Sequence, residues 1–329
     1  MTQGGTAPPV PTAWGMRVVP CNLCGSTSST EVYPSRLPDM TKRDVQEIFT
    51  CTSSAYGECG PIVRCDICGF VYQNPQPDPD WILDVYESVV DARYDEEREG
   101  RVHTFRRSLS ELTQHVMPGR LLDVGSHLGV FVEVARAAGW DAEGVEPSRW
   151  ATELARSRDL PVTQGAVADL ARPDGTYDAV TLWDVIEHLA DPSAELRRLH
   201  RMVRPGGIIA ISTMDVEAAA ARLLGRHWPW YMQMHLFYFS RRTLARLVHQ
   251  VGFEVVEIRR HRRIVRVAYL LSRLERGLGR LYPPLARAVN AAGVGKRLVT
   301  ADLGDLITLF ARKPAPNDLN TRRNGHGAY

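Results

Sequence analysis

Along residues 120–312, apolar and polar positions group into alternating strands and helices. Arg120–Val124 reads as a buried strand ended by Gly125, and Val130–Ala138 has helical spacing. Asp141–Glu146 is a second strand. Pro147-Ser148 then opens a helix with Ser148 as its N-cap. Val162–Gln164 is a short strand, and Tyr177–Trp183 is an apolar strand with two β-branched residues. Asp191-Pro192-Ser193 starts a helix that stops before a turn at Arg204-Pro205-Gly206-Gly207, and Ile208–Ser212 is the next strand. Ser240 caps a helix over Arg241–Val251 that Gly252 ends, and Glu254–Arg260 and Asp305–Arg312 are the last strands. This alternation predicts an α/β fold, a doubly wound and mainly parallel Rossmann-like sheet, with ligands beyond the carboxyl ends of its strands.

The pattern is weaker upstream. Residues 1–15 read as a disordered leader, and 16–75 hold all six cysteines. Residues 76–119 form a helical linker or lid entered through a proline-rich stretch, and 313–329 are a disordered polar tail. The lid carries two helical patterns. One holds Trp81, Leu83, Val85 and Tyr86 behind an Asp80 cap, and the other runs roughly from Val102 to Val116.

Composition mainly excludes classes. With 329 residues, 44% hydrophobic and 24% charged, the chain is an ordinary globular one. It has no apolar run of the ~18 residues that cross a membrane. Its N-terminal residues have no basic and apolar regions of a secretory signal, so a cytoplasmic location is expected. The net charge of +2 hides a polarised segment: residues 259–297 contain eleven Lys and Arg against Glu275 alone. A basic helical insert over 261–304 follows. Its apolar positions, among them Ile264, Val265, Leu270 and Leu274, suit contact with an anionic inner-membrane surface or a nucleotide-linked substrate. A solvated helix capping the sheet is the plainer alternative. Nucleic acid is disfavoured because no recognised RNA-binding module accompanies the segment.

The stretch Leu121-Leu122-Asp123-Val124-Gly125-Ser126-His127-Leu128-Gly129 takes an apolar strand through a tight glycine turn into a helix. The helix N-terminus offers free N–H groups, and Glu146, 23 residues after Asp123, ends the next strand where a carboxylate accepts ribose hydroxyls. The loop lacks the G-x-G-x-x-G of nicotinamide enzymes. A Rossmann-like turn without a ligand is the plain alternative.

On these residues, with Gly144-Val145-Glu146-Pro147-Ser148, the run Tyr177–Leu189 ending Asp184-Val185-Ile186-Glu187-His188-Leu189, and Arg204–Gly207, the chain resembles the class I S-adenosylmethionine-dependent methyltransferases. The resemblance implies that Asp123, Gly125, Ser126, His127 and Gly129 cradle the methionine end and Glu146 holds the ribose. Ala166 and Val167 would face the adenine, and Leu182 and Trp183 would line the sulfonium side. Two positions depart from the family: His127 replaces the loop's middle glycine, and Ala166 replaces a frequent acid, so that backbone groups or Asp169 would read the adenine.

Cys21-Asn22-Leu23-Cys24-Gly25 and Cys65-Asp66-Ile67-Cys68-Gly69 are matched CxxCG knuckles. Two such pairs make a set of four thiolates, the closed geometry of structural zinc, with Cys21, Cys24, Cys65 and Cys68 as ligands. A redox CxxC is the rival, though it needs no twin. Cys51 and Cys59 are spare and read as inert thiols, with Cys59 an alternate ligand. A zinc knuckle before such a domain is similar to bacterial methyltransferases encoded with sugar and polysaccharide genes, including deoxysugar C-methyltransferases that usually carry a further C-terminal domain.

The acceptor side falls on His227–Ser240, rich in aromatic residues that suit a ring-shaped acceptor. His235 is the first choice for the general base, followed by Tyr231 and Tyr238; an aromatic lid with His235 bonded to backbone is the alternative. His188 reads first as structural at the strand exit, with contact to the site as the alternative, and Met232 and Met234 read as packing. The expected function is methylation of a sugar, as nucleotide sugar or glycan intermediate, or of a related small natural product, at oxygen in preference to carbon. A sugar C-methyltransferase, an RNA methyltransferase and a non-catalytic cofactor-binding zinc scaffold are the alternatives. Oligomeric state is not read from the sequence.

Overall fold

The computed structural model describes residues 15–37, 48–50, 52, 56–91, 93–273 and 275–315. The leader before residue 15, Cys51 and the tail beyond residue 315 lie outside them.

The strands are β1 (Ser29–Tyr33), β2 (Ile62–Cys65), β3 (Val71–Gln73), β4 (Arg120–Val124), β5 (Asp141–Glu146), β6 (Val162–Gln164), β7 (Tyr177–Trp183), β8 (Val203–Met214), β9 (Phe237–Tyr238), β10 (Glu254–Arg260), β11 (Arg263–Arg266), β12 (Leu298–Ala301) and β13 (Leu306–Arg312). The α-helices are α1 (Pro79–Ser88), α2 (Arg98–Leu112), α3 (Val130–Ala137), α4 (Arg149–Arg156), α5 (Pro192–Met202), α6 (Ala219–Leu224), α7 (Arg241–Gln250), α8 (Val267–Ser272), α9 (Glu275–Leu278) and α10 (Tyr282–Ala291).

Seven strands form the main sheet in the order β10-β13-β8-β7-β4-β5-β6. Strands β4 to β8 run parallel, and β13 enters antiparallel between β8 and β10. Successive residues point to opposite faces. Ala179, Ile208 and Phe310 meet Leu109 and Leu112 of α2 and Phe131 of α3, while Val180, Ile209 and Leu309 meet α5 and α7. Each fully buried Leu or Ile contributes about 1.5–3 kcal/mol, which holds the layers together. Gly125, at φ +65°, turns the chain directly after β4, and a Cβ there would sit 2.6 Å from Val185.

The caps follow local chemistry. Ser148 Oγ accepts from Ala151 N at 3.2 Å, and Asp191 Oδ1 accepts from Ala194 N at 2.9 Å with Pro192 at the first helical position. Asp78, not the expected Asp80, caps α1, because its side chain accepts from Asp80 N. The Arg204–Gly207 turn falls within the bounds of β8, where pairing with β7 is irregular.

The cysteine segment is less separate than its sequence suggests. Strands β1, β2 and β3 make an antiparallel sheet whose fourth member is β9, from the far end of the aromatic stretch. Phe70 stacks on Phe237 at 5.7 Å, and Phe70, Tyr72 and Phe237 join one buried cluster with β7 and β8 residues. Gln73 ties this junction. Fully buried, its Nε2 lies 2.6–3.0 Å from the carbonyl oxygens of Met232, Gln233 and His235. Gln73→Leu is expected to destabilise the protein by about 3 kcal/mol, because buried carbonyls lose their donor. Chemical denaturation checks this, and a loss below about 1 kcal/mol contradicts it.

The basic segment is not the single amphipathic helix expected. Its first arginines lie on β10, β11 and the turn between them, and are paired within the fold: Arg259 with Glu257, Arg262 with Asp302, Arg263 with Asp184, and Arg266 with Glu97. Strand β11 pairs with β12, and α8 to α10 lie between them with no fully buried side chain among the described residues. No helix among the described residues is long and apolar enough to cross a membrane.

Candidate functional site

A cavity of about 800 Å³ opens beyond the carboxyl ends of β4, β5 and β7. One half is built by the turns after those strands. Gly125, His127, Glu146, Ser148, Ala166, Val167 and Trp183 line it. Glu146 Oε1 accepts from Ser148 N at 2.9 Å and Oε2 from His127 N at 2.8 Å, so the carboxylate holds both turns and keeps further lone pairs for a ligand.

His127 takes φ +47° despite its Cβ, and its ring stacks on Tyr94 at 3.6 Å; the Arg101 guanidinium covers the other face of Tyr94. Burial, with Arg101 nearby, pushes the His127 pKa down to about 3, so the ring is neutral.

Several expected contacts fall elsewhere. Asp123 does not line the cavity. It lies beneath the loop, 2% exposed, with Oδ1 accepting from Thr181 Oγ1 at 2.7 Å. Ser126, Gly129 and Leu182 are also packed behind the wall: Leu182 points from β7 into the sheet layer, and in the turn Ser126 backs onto Gly144 and Gly129 onto Leu160 and Val162. Asp169 Oδ2 accepts from Ala166 N at 2.8 Å and thereby closes the turn after β6.

Burial raises Asp123 to about 8, with Glu146 adding to the shift, and burial raises Glu146 to about 7. Both carboxyls hold protons more tightly in the folded chain than in the unfolded one. These two carboxyls therefore contribute stability that is present in full below about pH 4 and lost as pH rises through 7 to 8, opposite in sign to the buried neutral histidines. Asp123→Asn is expected to gain stability relative to the wild type between pH 6 and pH 8.5. Calorimetric scans of both proteins check this; a difference in melting temperature that stays constant across that range contradicts it.

The other half of the cavity carries the stretch expected to hold the acceptor. Glu187, His188, Trp230, Met232, Met234, His235, Arg263 and Tyr269 line it. His235 is 4% exposed, and its Nδ1 lies 2.8 Å from the Trp230 carbonyl. Burial, with His188 close by, holds its pKa down to about 3. A ring so weakly basic is a poor proton acceptor on its own. Tyr231 and Tyr238 are not in the cavity: Tyr231 packs against Tyr33 and Trp228, and Tyr238 donates to the Met232 carbonyl at 3.2 Å. Their aromatic faces complete the core between the two sheets, which corrects their assignment as catalytic groups.

Sequence reasoning missed several residues here. Asp184 pairs with Arg263 at 2.5 Å, and although burial would raise its carboxyl, Arg263 and His261 hold it below the usual range. Asp305, 2% exposed, accepts from both Trp228 Nε1 and Trp230 Nε1 and so fixes the aromatic stretch. His188, read as structural, faces the cavity. The unbroken Asp184–Leu189 run was the available signal for this corner.

The four knuckle cysteines converge. Cys21 and Cys68 Sγ are 3.5 Å apart, as are Cys24 and Cys65 Sγ, and all four lie within 4.8 Å of one another. The knuckles repeat one geometry. Gly25 N bonds to Cys21 O and Gly69 N to Cys65 O, with both glycines near φ +76°. Burial works against the Cys65 thiolate, but N–H groups of Cys68 and Ile67 bring its pKa to about 7. Four sulfurs at this spacing fit a tetrahedral zinc ion, whose Zn–S bonds are about 2.3 Å. Cys59 is buried in a different cluster with its pKa pushed up to about 12, as an inert thiol should be.

The family model described as a methyltransferase domain matches residues 94–258, just over half of the chain. The ubiquinone biosynthesis O-methyltransferase of Proteus mirabilis is 30% identical over 145 residues, covering 40% of this chain and 59% of its own. That of Azorhizobium caulinodans is 32% identical over 117 residues, covering 33% and 46%. The chain spans about half the length of the curated relatives it matches. A solved Thermotoga maritima structure, titled a SAM-dependent methyltransferase and possible histamine N-methyltransferase, is 18% identical with a TM-score of 0.46, covering 67% of this chain and 93% of its own.

Proposed function

Since the chain belongs to the methyltransferase-domain family, we propose that it moves the methyl group of S-adenosylmethionine onto a hydroxyl oxygen of a small acceptor. The observation carrying this reading is that one cavity joins a cofactor half, built on Glu146 and the Gly125–His127 turn, to an acceptor half built on Glu187, His188 and His235. Within it, Glu146 would accept from the ribose hydroxyls, and Arg101 would supply the cation for the methionine carboxylate. The bound cofactor supplies an electrophilic methyl group on a sulfonium. The protein aligns donor and acceptor and stabilises the oxygen as its proton leaves.

The matched relatives are O-methyltransferases by name, which favours oxygen over carbon. The acceptor is a ring-shaped alcohol or phenol held against Trp230 and the methionines, with a sugar as the sequence-based expectation and an intermediate of ubiquinone biosynthesis as the one that the relatives' names support. The four-cysteine cluster is read as a structural zinc site. Exposed Leu270, Leu281 and Leu285 beside Arg280 and Arg287 support contact with an anionic lipid surface, which vesicle co-sedimentation tests.

Product mass spectrometry with methyl-labelled cofactor tests the main reading, using a panel of phenols, catechols and nucleotide sugars. A labelled methyl ether on one class is the expected result. Cofactor binding without transfer to any acceptor would overturn the reading in favour of a non-catalytic scaffold.

A further inference from the structure

We infer that Glu187, His188 and His235 form a second metal site, a set of two imidazoles and one carboxylate that takes a first-row divalent cation in the acceptor half of the cavity. The three donor atoms lie within 4.8 Å of one another. The imidazoles are already oriented for this task. His235 Nδ1 donates to the Trp230 carbonyl at 2.8 Å, and His188 Nδ1 donates to the Met234 carbonyl at 2.9 Å, with the Tyr86 hydroxyl oxygen also 2.9 Å from it. Both rings therefore carry their proton on Nδ1 and keep the lone pair on Nε2. Metal-binding histidines are held in this way, by a backbone carbonyl on the nitrogen that does not ligate. The ring centres are 4.8 Å apart.

The carboxylate supplies the independent sign. Glu187 is fully buried, and Oε2 accepts from Thr213 Oγ1 at 2.9 Å. Among the described residues Oε1 has no hydrogen-bond partner; His188 Nε2, 4.0 Å away, is too distant for one. Folded chains rarely leave a buried carboxylate oxygen unpartnered, and a cation shared with the two Nε2 atoms partners it. The neighbouring Asp184 is not a ligand, because Arg263 holds it. The frame is fixed from outside: Leu236 N bonds to Glu187 O at 2.8 Å, and Gln73 and Asp305 hold the stretch that carries His235.

This set differs in kind from the cysteine cluster. Four thiolates close a zinc ion off, whereas three N and O ligands beside a cavity leave a position for a substrate oxygen. The role of the ion rests on the proposed methyl transfer; the site itself does not. An acceptor hydroxyl on the ion would lose its proton to water. Its oxygen lone pair would then form the O–CH3 bond as the C–S bond breaks, its electron pair staying on a neutral thioether sulfur.

The test uses the full chain with one equivalent of zinc already on its cysteines, titrated with manganese(II) and followed by electron paramagnetic resonance of the free ion. One manganese per chain is expected. Glu187→Gln and His188→Asn should each weaken it by about tenfold or more, with zinc content and melting temperature retained. Tyr231→Phe, outside the cavity, should not. Absence of saturable manganese binding, or binding undiminished in both variants, overturns the site. Neither result bears on methyl transfer, which the labelled-product assay reads separately.

Discussion

Changing Glu146 to glutamine is expected to weaken S-adenosylmethionine binding by about 10- to 100-fold, because a hydrogen bond to a charged group contributes about 1.5–3 kcal/mol. The carboxylate accepts from His127 N and Ser148 N, one on each oxygen. An amide turns an N–H towards one of these donors, so the variant loses an anchor for a turn as well as the anion that would face the ribose. The ligand-free fold should tolerate the change, since burial already favours the neutral form of this side chain. Isothermal calorimetry with the cofactor, paired with a thermal melt, separates the two effects. An affinity within about twofold of the wild type would remove Glu146 from the cofactor site.

Loss of the proposed zinc site should have the larger effect on the fold. Structural zinc contributes an apparent ~10 kcal/mol or more to small segments that bind it. Cys65→Ser is expected to release the zinc and melt the β1-β2-β3 sheet. The damage should travel, because β3 pairs with β9 and Gln73 holds the Met232–His235 backbone. Metal analysis should show one zinc fewer per chain. Hydrogen exchange should rise in residues 62–73 and in 232–238 together, with β4 and β5 protected. Zinc retained in this variant would reject the four-cysteine assignment, and exchange confined to the cysteine segment would reject the coupling.

The sheet from β4 to β8 was legible because its punctuation is chemical. Gly125 follows β4, Pro147-Ser148 follows β5, and Asp191-Pro192 opens α5, and each permits few other conformations. The four cysteines were legible through their spacing. The acceptor stretch was harder to read. Residues 227–240 are aromatic on every side and follow neither the helix nor the strand period. Sequence alone therefore did not separate His235, which faces the cavity, from Tyr231 and Tyr238, which fill the core between sheets. Asp123 misled for a related reason. A carboxylate at a strand end suggests a ligand, but Thr181 on the neighbouring strand takes it beneath the loop. The basic segment was read by its charge, yet the acids that pair with Arg262, Arg263 and Arg266 lie far away in sequence, at Asp302, Asp184 and Glu97.

The pairing of β3 with β9 also sets an order of events during synthesis. All four knuckle cysteines have been made by residue 68, so the proposed zinc site can fill early. The edge of β3 waits for a partner that arrives about 165 residues later, some 10–30 s at ordinary translation rates of about 5–20 residues per second. During that interval the nascent chain carries an open strand edge beside Phe70 and Tyr72, a template for pairing with a neighbouring chain. Closure of that edge comes with the same few residues that bring His235 to the cavity, so the last step in completing the small sheet is also the step that completes the cavity wall around His235.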